Sequence, residues 1–155
     1  WQRWMIGGWQ IGGINSLRSG DPFTVRAGRD NSLVGTNSDT AYLVGDWRLP
    51  GGRSRGEKIQ RYFNTAAFVQ GAQGTFGNLG LNNLEAPGTW NLDLVASKRA
   101  RLSESRSLEF RASFYNALNN VNLGNPNASL NSPTFGRITG AGVPRVIELG
   151  LRFAY

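Results

Sequence analysis

Arg145-Val-Ile-Glu-Leu-Gly-Leu-Arg-Phe-Ala-Tyr155 alternates in character with a period of two. Ile147, Leu149, Leu151, Phe153 and Tyr155 fall on one side of an extended chain, and Val146, Glu148, Gly150, Arg152 and Ala154 on the other. This pattern predicts a strand with one large apolar face and one small or charged face. The stretch ends on an aromatic residue with no polar tail behind it.

The same pattern recurs upstream. In the segment 107–118, Leu108, Phe110, Ala112 and Phe114 oppose Glu109, Arg111, Ser113 and Tyr115. In the segment 90–98, Trp90, Leu92, Leu94 and Ala96 oppose Asn91, Asp93, Val95 and Ser97. The short polar tract Arg101-Leu-Ser-Glu-Ser-Arg106 between them predicts a hairpin turning near Ser103. A fourth strand is expected over 4–18, with Trp9, Ile11, Gly13 and Leu17 on one side and Gln10, Gly12, Ser16 and Arg18 on the other.

The connections are unequal. Residues 20–89 and 119–144 form long links rich in Gly, Asn and Pro, whereas the hairpin needs only a few residues. Within the longer link, Arg61–Phe68 predicts a short helical turn capped by Asn64. Compact soluble domains seldom carry structureless links of this size. Short turns at one end of the strands and long loops at the other are the habit of an outer-membrane barrel. If the final strand runs inward, both long links emerge outside the cell and the Ser103 turn lies in the periplasm. The expected fold class is therefore all-β: about four antiparallel strands of a transmembrane β-barrel, the last at the C-terminus, with extracellular loops at 20–89 and 119–144. Four strands cannot close a membrane barrel, which needs about eight, so further strands are expected upstream.

Composition narrows the alternatives. The 155 residues include no Cys and no His, which removes disulfides, thiolate chemistry and the commonest metal ligand and general base. No enzyme, metal site or cofactor is expected. The formal charge of +7 is spread along the chain as separated arginines, without the dense basic run of a nucleic-acid footprint. No apolar stretch of about 18 residues exists, which excludes a transmembrane helix and leaves strands untouched. Gly71, Gly74, Gly77 and Gly80 lack the strand, helix and lysine of a phosphate loop, so they read as turn residues. Glu104 and Glu109 show no glycosidase arrangement. Asn127-Ala-Ser129 matches a glycosylation sequon that has no meaning in a bacterial outer membrane. With no initiator methionine and no signal segment before Trp1, the chain is expected to be cut from a longer one.

Several stretches, in this order, carry a resemblance. They are Gly7-Gly-Trp-Gln-Ile-Gly-Gly13 with Ser19-Gly-Asp-Pro-Phe-Thr-Val25, then Tyr62–Phe68, Gly74–Gly80 and Pro87–Leu94. Phe110–Asn119, Gly124–Asn127, Phe135–Thr139 and the final strand follow. Together they resemble the C-terminal barrel segment of TonB-dependent outer-membrane receptors of the Oar-like type. Tyr155 stands where such receptors more often end on Phe, and Leu81 where a basic residue is more usual. The resemblance implies a barrel of about 22 strands with a plugged lumen and uptake of a scarce ligand energised by TonB through the plug. Neither plug nor N-terminal domains are expected within this segment, so it should not transport alone. Implied partners are outer-membrane lipid, the barrel-assembly machinery, TonB and an unidentified ligand, with no nucleic acid.

The candidate residues follow. Ile147, Leu149, Leu151, Phe153 and Tyr155 would form the C-terminal assembly signal; the bland reading of the aromatics is membership of the interfacial girdle. Trp1, Trp4, Trp9 and Trp90 suit that girdle better than ligand stacking. Asp93, Glu109, Arg111, Glu148 and Arg152 would face the lumen, where a cross-strand charge ladder is the plainer account. Arg29, Asp30, Asp39, Trp47, Arg53 and Arg55 are the loop residues placed to meet a ligand, or to form a solvated surface. The competing function is a soluble β-sandwich module for adhesion or glycan contact, which would bury the apolar faces against each other.

Overall fold

A computed structural model describes residues 7–155. Trp1 and Trp4, with the first part of the strand expected over 4–18, lie outside the described residues. In chain order the strands are β1 (Trp9–Arg18), β2 (Pro22–Phe23), β3 (Tyr42–Leu43), β4 (Phe68–Val69), β5 (Leu84–Glu85), β6 (Thr89–Arg101), β7 (Ser107–Tyr115) and β8 (Val146–Ala154). Among the described residues a short helix, α1, spans Arg55–Gln60. The chain forms two compact units. The first comprises the described residues up to Arg18, with Thr89–Asn122 and Val143–Tyr155; the second comprises Ser19–Gly88 and Leu123–Gly142.

The first unit is a four-stranded antiparallel sheet in the order β1-β6-β7-β8. Trp9 pairs with Lys98 and Arg18 with Thr89; Arg101 pairs with Ser107, Ser107 with Ala154, and Tyr115 with Val146. The two long connections therefore leave and re-enter at one end of the sheet, and the tight turn lies at the other. At that turn the backbone N–H groups of Leu102 and Ser103 both donate to the Arg106 carbonyl, at 2.9 and 3.2 Å.

β1 begins at Trp9, after a turn at Gly7 and Gly8 within the stretch expected as strand, and two strand ends differ by three residues from those expected. β6 continues past residue 98 to Arg101, because Arg99, Ala100 and Arg101 still find ladder partners in Glu109, Leu108 and Ser107. β7 stops at Tyr115 rather than 118, because Asn116 and Asn119 adopt left-handed backbone, φ 51° and 52°. Asparagine enters that region more readily than most residues, and the alternation through Ala117 and Leu118 is overridden.

The second unit is where expectation and structure part most. Its residues fold around a core of Val25, Ala41, Phe63, Ala67, Phe68, Leu79 and Leu84, with Phe23, Leu43, Trp47, Tyr62, Leu130 and Phe135 packed against it. Phe63 is the hub: its ring meets Phe68 at 5.4 Å and Phe135 at 5.2 Å, both edge-on, and Phe23 at 6.0 Å. Because Phe135 comes from the second long connection, the two links share one core. Backbone hydrogen bonds seal the join: Tyr62 N–H to Gly136, Ile138 N–H to Ile59 and Arg26 N–H to Ala128. The links are long, but they are not structureless.

Local chemistry explains the second unit's turns. Ser54 and Glu57 form a reciprocal capping box that starts α1. Asn64 caps a 3-10 turn over Thr65–Ala67, the turn expected in that stretch. Gly77 packs so closely on Thr40 that a Cβ there would run into the Thr40 carbonyl.

Candidate functional site

The register sorts every side chain of the sheet onto one of two faces. Across the rows, Ile11, Ala96, Ala112 and Leu149 are neighbours, and so are Lys98, Phe110 and Leu151. Trp9, Leu17, Trp90, Leu92, Leu94, Phe114, Ile147 and Phe153 complete this face. It faces outward uncovered: Ile11 is 79% exposed, Leu149 69% and Leu151 71%. A β-sandwich would have buried these groups against a second layer, so their exposure argues against the soluble-module reading.

Two polar residues interrupt the apolar face, and each is answered by tryptophan. The Asn15 side-chain oxygen accepts from the Trp90 indole N–H at 2.7 Å. The Lys98 ammonium lies 5.1 Å from the Trp9 ring, within cation-π reach. Trp90 and Lys98 stand eight positions apart on β6, about 26 Å at ~3.3 Å per residue. That is close to the apolar band of about 25 Å on outer-membrane barrels, although strand tilt shortens its projection. Tyr155 stacks with Phe153 at 6.2 Å, at the tight-turn end.

The opposite face is polar, and Asp93, Glu109, Arg111, Glu148 and Arg152 all belong to it. Arg99, Glu109 and Arg152 form one row across three strands; Ser97, Arg111 and Gly150 form the next; Val95, Ser113 and Glu148 the one after. Arg99 Nη2 donates to Glu109 Oε2 at 2.8 Å, and the Tyr115 hydroxyl donates to Glu148 at 3.4 Å. Arg99 lies beyond the strand end expected at residue 98, and its alternation with Ser97 and Arg101 is the sequence signal that places it on this face.

At the loop end, side-chain amides replace the backbone ladder. Asn116, buried, donates its backbone N–H to Asp93 Oδ1 at 2.8 Å and its amide to the Asn120 and Val143 carbonyls. Asn120 in turn donates to the Trp90 carbonyl and to Asn122 Oδ1, and Asn122 Oδ1 also accepts the Trp90 N–H. This clasp fixes where the strands end. Among the described residues, no cluster of three or more acidic, His or Cys side chains could hold a metal.

The loop candidates are largely engaged within the second unit. Asp39 is buried and accepts the Ser32 N–H at 2.7 Å and its hydroxyl at 2.9 Å. These bonds, the backbone one foremost, hold its carboxyl below the ordinary 3.8. Asp30 accepts the N–H groups of Val34 and Gly35. Arg29 donates to Asn31, and Arg53 to the Arg61 and Tyr62 carbonyls. Trp47 packs on the core, with the Arg48 guanidinium 4.6 Å from its ring. Arg55 alone of the six is an exposed helix residue with no hydrogen bond of its side chain among those described. These groups organise the loops, which leaves little support for them as ligand contacts.

An antiparallel sheet with one apolar face, tryptophans near both margins and a polar reverse side is the wall of a barrel in lipid. The family described as outer membrane beta barrel domain matches residues 1–148. The chain belongs to that family. Its place is accordingly the outer membrane of Gram-negative bacteria. No curated protein and no solved structure matches the chain. Outer membrane beta barrel proteins are in general structural or transport proteins rather than enzymes. Among the described residues no helix is long and apolar enough to cross a membrane.

Proposed function

We propose that this segment is the C-terminal wall of a TonB-dependent outer-membrane receptor that takes up a scarce ligand, as its resemblance to the Oar-like receptors implies. The observation that carries the reading is the asymmetry of the two ends: both long connections leave one end and fold as a single unit, while the other has one tight turn. The folded links are the outer surface, the tight turn is periplasmic, and the polar face lines the lumen. Among the described residues β1 and β8 each have one unpaired edge, and in lipid each unsatisfied backbone group costs several kcal/mol. Further strands therefore complete the barrel on both sides. Ile147, Leu149, Leu151, Phe153 and Tyr155 form the strand that the assembly machinery recognises.

Two experiments test this. This segment has no cysteine, so single cysteines introduced at Ser97, Ser113, Ala96 and Ala112 in a complete barrel otherwise freed of cysteine report cleanly. A membrane-impermeant maleimide should label the first two in an unplugged barrel and spare the second two in lipid; the reverse pattern would invert the wall. For the energised step, cells expressing the complete receptor are cross-linked with formaldehyde and probed for a TonB adduct. Absence of the adduct, with the receptor in the outer membrane, leaves a barrel that is not TonB-dependent.

A further inference from the structure

The geometry points to a carbohydrate-binding hollow at the loop end of the polar face, built from Asn91, Asp93, Tyr115 and Asn122. The hollow has a volume of about 310 Å³, and Asn116, Val143 and Pro144 complete its lining. That is at the small end of ligand pockets, of a size for one or two sugar rings.

The clasp dictates which polar atoms of the lining residues are already engaged. Asn122 Oδ1 already accepts two N–H groups, from Trp90 at 2.9 Å and Asn120 at 3.0 Å, so its amide nitrogen is left as a double donor. Asn91 Nδ2 donates to Asp93 Oδ1 at 2.7 Å, and Asn116 N–H donates to the same oxygen. The Asn91 side-chain oxygen and Asp93 Oδ2 are therefore left as acceptors. A metal cation wants only acceptors, and an anion only donors. Sugar hydroxyls both donate and accept, so they match the mixture. Tyr115 adds an aromatic wall against which the C–H face of a sugar ring can lie. The clasp itself uses none of these remaining atoms: strand termination needs Asn122 Oδ1 and Asp93 Oδ1, which leaves the residues lining the hollow with Asn122 Nδ2, Asp93 Oδ2 and the Asn91 oxygen to spare.

This inference rests on the reading of the polar face as lumen wall and names the substrate class of that wall. Its test uses the complete barrel in detergent, with maltose, cellobiose and N,N′-diacetylchitobiose as probes, followed by saturation-transfer NMR and titration calorimetry. At least one disaccharide should bind. Asn122→Asp keeps the oxygen that Trp90 and Asn120 need but turns the double donor into an acceptor, so affinity should fall ~10-fold or more at an unchanged melting temperature. Asn91→Ala, which leaves the Asp93–Asn116 bond intact, should weaken binding severalfold and serves if Asn122→Asp fails to fold. No binding of any of the three sugars, or equal binding by the folded variants, overturns the inference. So does calcium binding to the unmodified hollow in their place. The measurement needs neither TonB nor energy. A missing TonB adduct would therefore remove the transport reading while leaving this result intact, and a missing sugar signal would do the converse.

Discussion

Arg99 and Glu109 sit directly opposite each other on β6 and β7, their side chains joined at 2.8 Å, with Arg152 next in the same row on β8. The Arg99 side chain is 63% exposed and that of Glu109 31%, so solvent screens much of their attraction. A double-mutant cycle with Arg99→Gln and Glu109→Gln, read by denaturant unfolding of the complete barrel in vesicles, should give only a small coupling. The coupling should shrink as salt is raised. A large, salt-independent coupling would mean that the row is sealed from water.

The two faces should differ sharply in their tolerance of charge. Leu149→Arg introduces a cation on the apolar face and should cost about 2–4 kcal/mol in a bilayer. Ser97→Arg, on the polar face beside Arg111, should cost far less. Equal penalties in lipid would contradict the assignment of the faces.

Phe63 is 1% exposed and makes ring contacts with residues from both long connections. Phe63→Ala should cost about 3–5 kcal/mol within the second unit. The readout is limited proteolysis, which should open sites in both 19–88 and 123–142. Cleavage confined to the first link would show that the two do not share a core in membranes.

Acid should loosen the same unit through Asp39. Its carboxyl is held below the ordinary value, chiefly by the Ser32 backbone N–H, with partial burial opposing. The folded state therefore binds this proton less readily than the unfolded one. The stabilisation is complete above about pH 4 and disappears as pH falls through the lowered folded value. Protease sensitivity of the 26–39 region should rise on acidification below pH 4, and Asp39→Asn should flatten that response while weakening the region at neutral pH.

The strands were legible because lipid on one side and water on the other impose a strict period of two, visible at Leu108–Phe114 and Ile147–Phe153 without any partner. Their limits were less so. Arg99 and Arg101 look like turn residues until Glu109 and Ser107 are seen opposite them, and the left-handed Asn116 leaves no mark in the alternation. The second unit was hidden for a different reason. Val25, Phe63, Leu79, Leu84 and Phe135 contribute to one core from irregular positions, and no period announces contacts that depend on chain reversal. Asn64 was readable there as the cap of a short turn, and Ser54 and Glu57 have the spacing of a capping box, a further mark that starts α1. The Asn91–Asp93–Asn122 hollow was not legible, since it depends on how β6 and the segment after β7 end against each other.

The shared core of the two long connections bears on how these connections can be exchanged. Phe63 belongs to one link and Phe135 to the other, and Ile59 is bonded to Ile138 across the join. Grafting either link by itself onto another barrel would carry half of an aromatic cluster into water and leave the other half behind. The transplantable part is the pair, moved together.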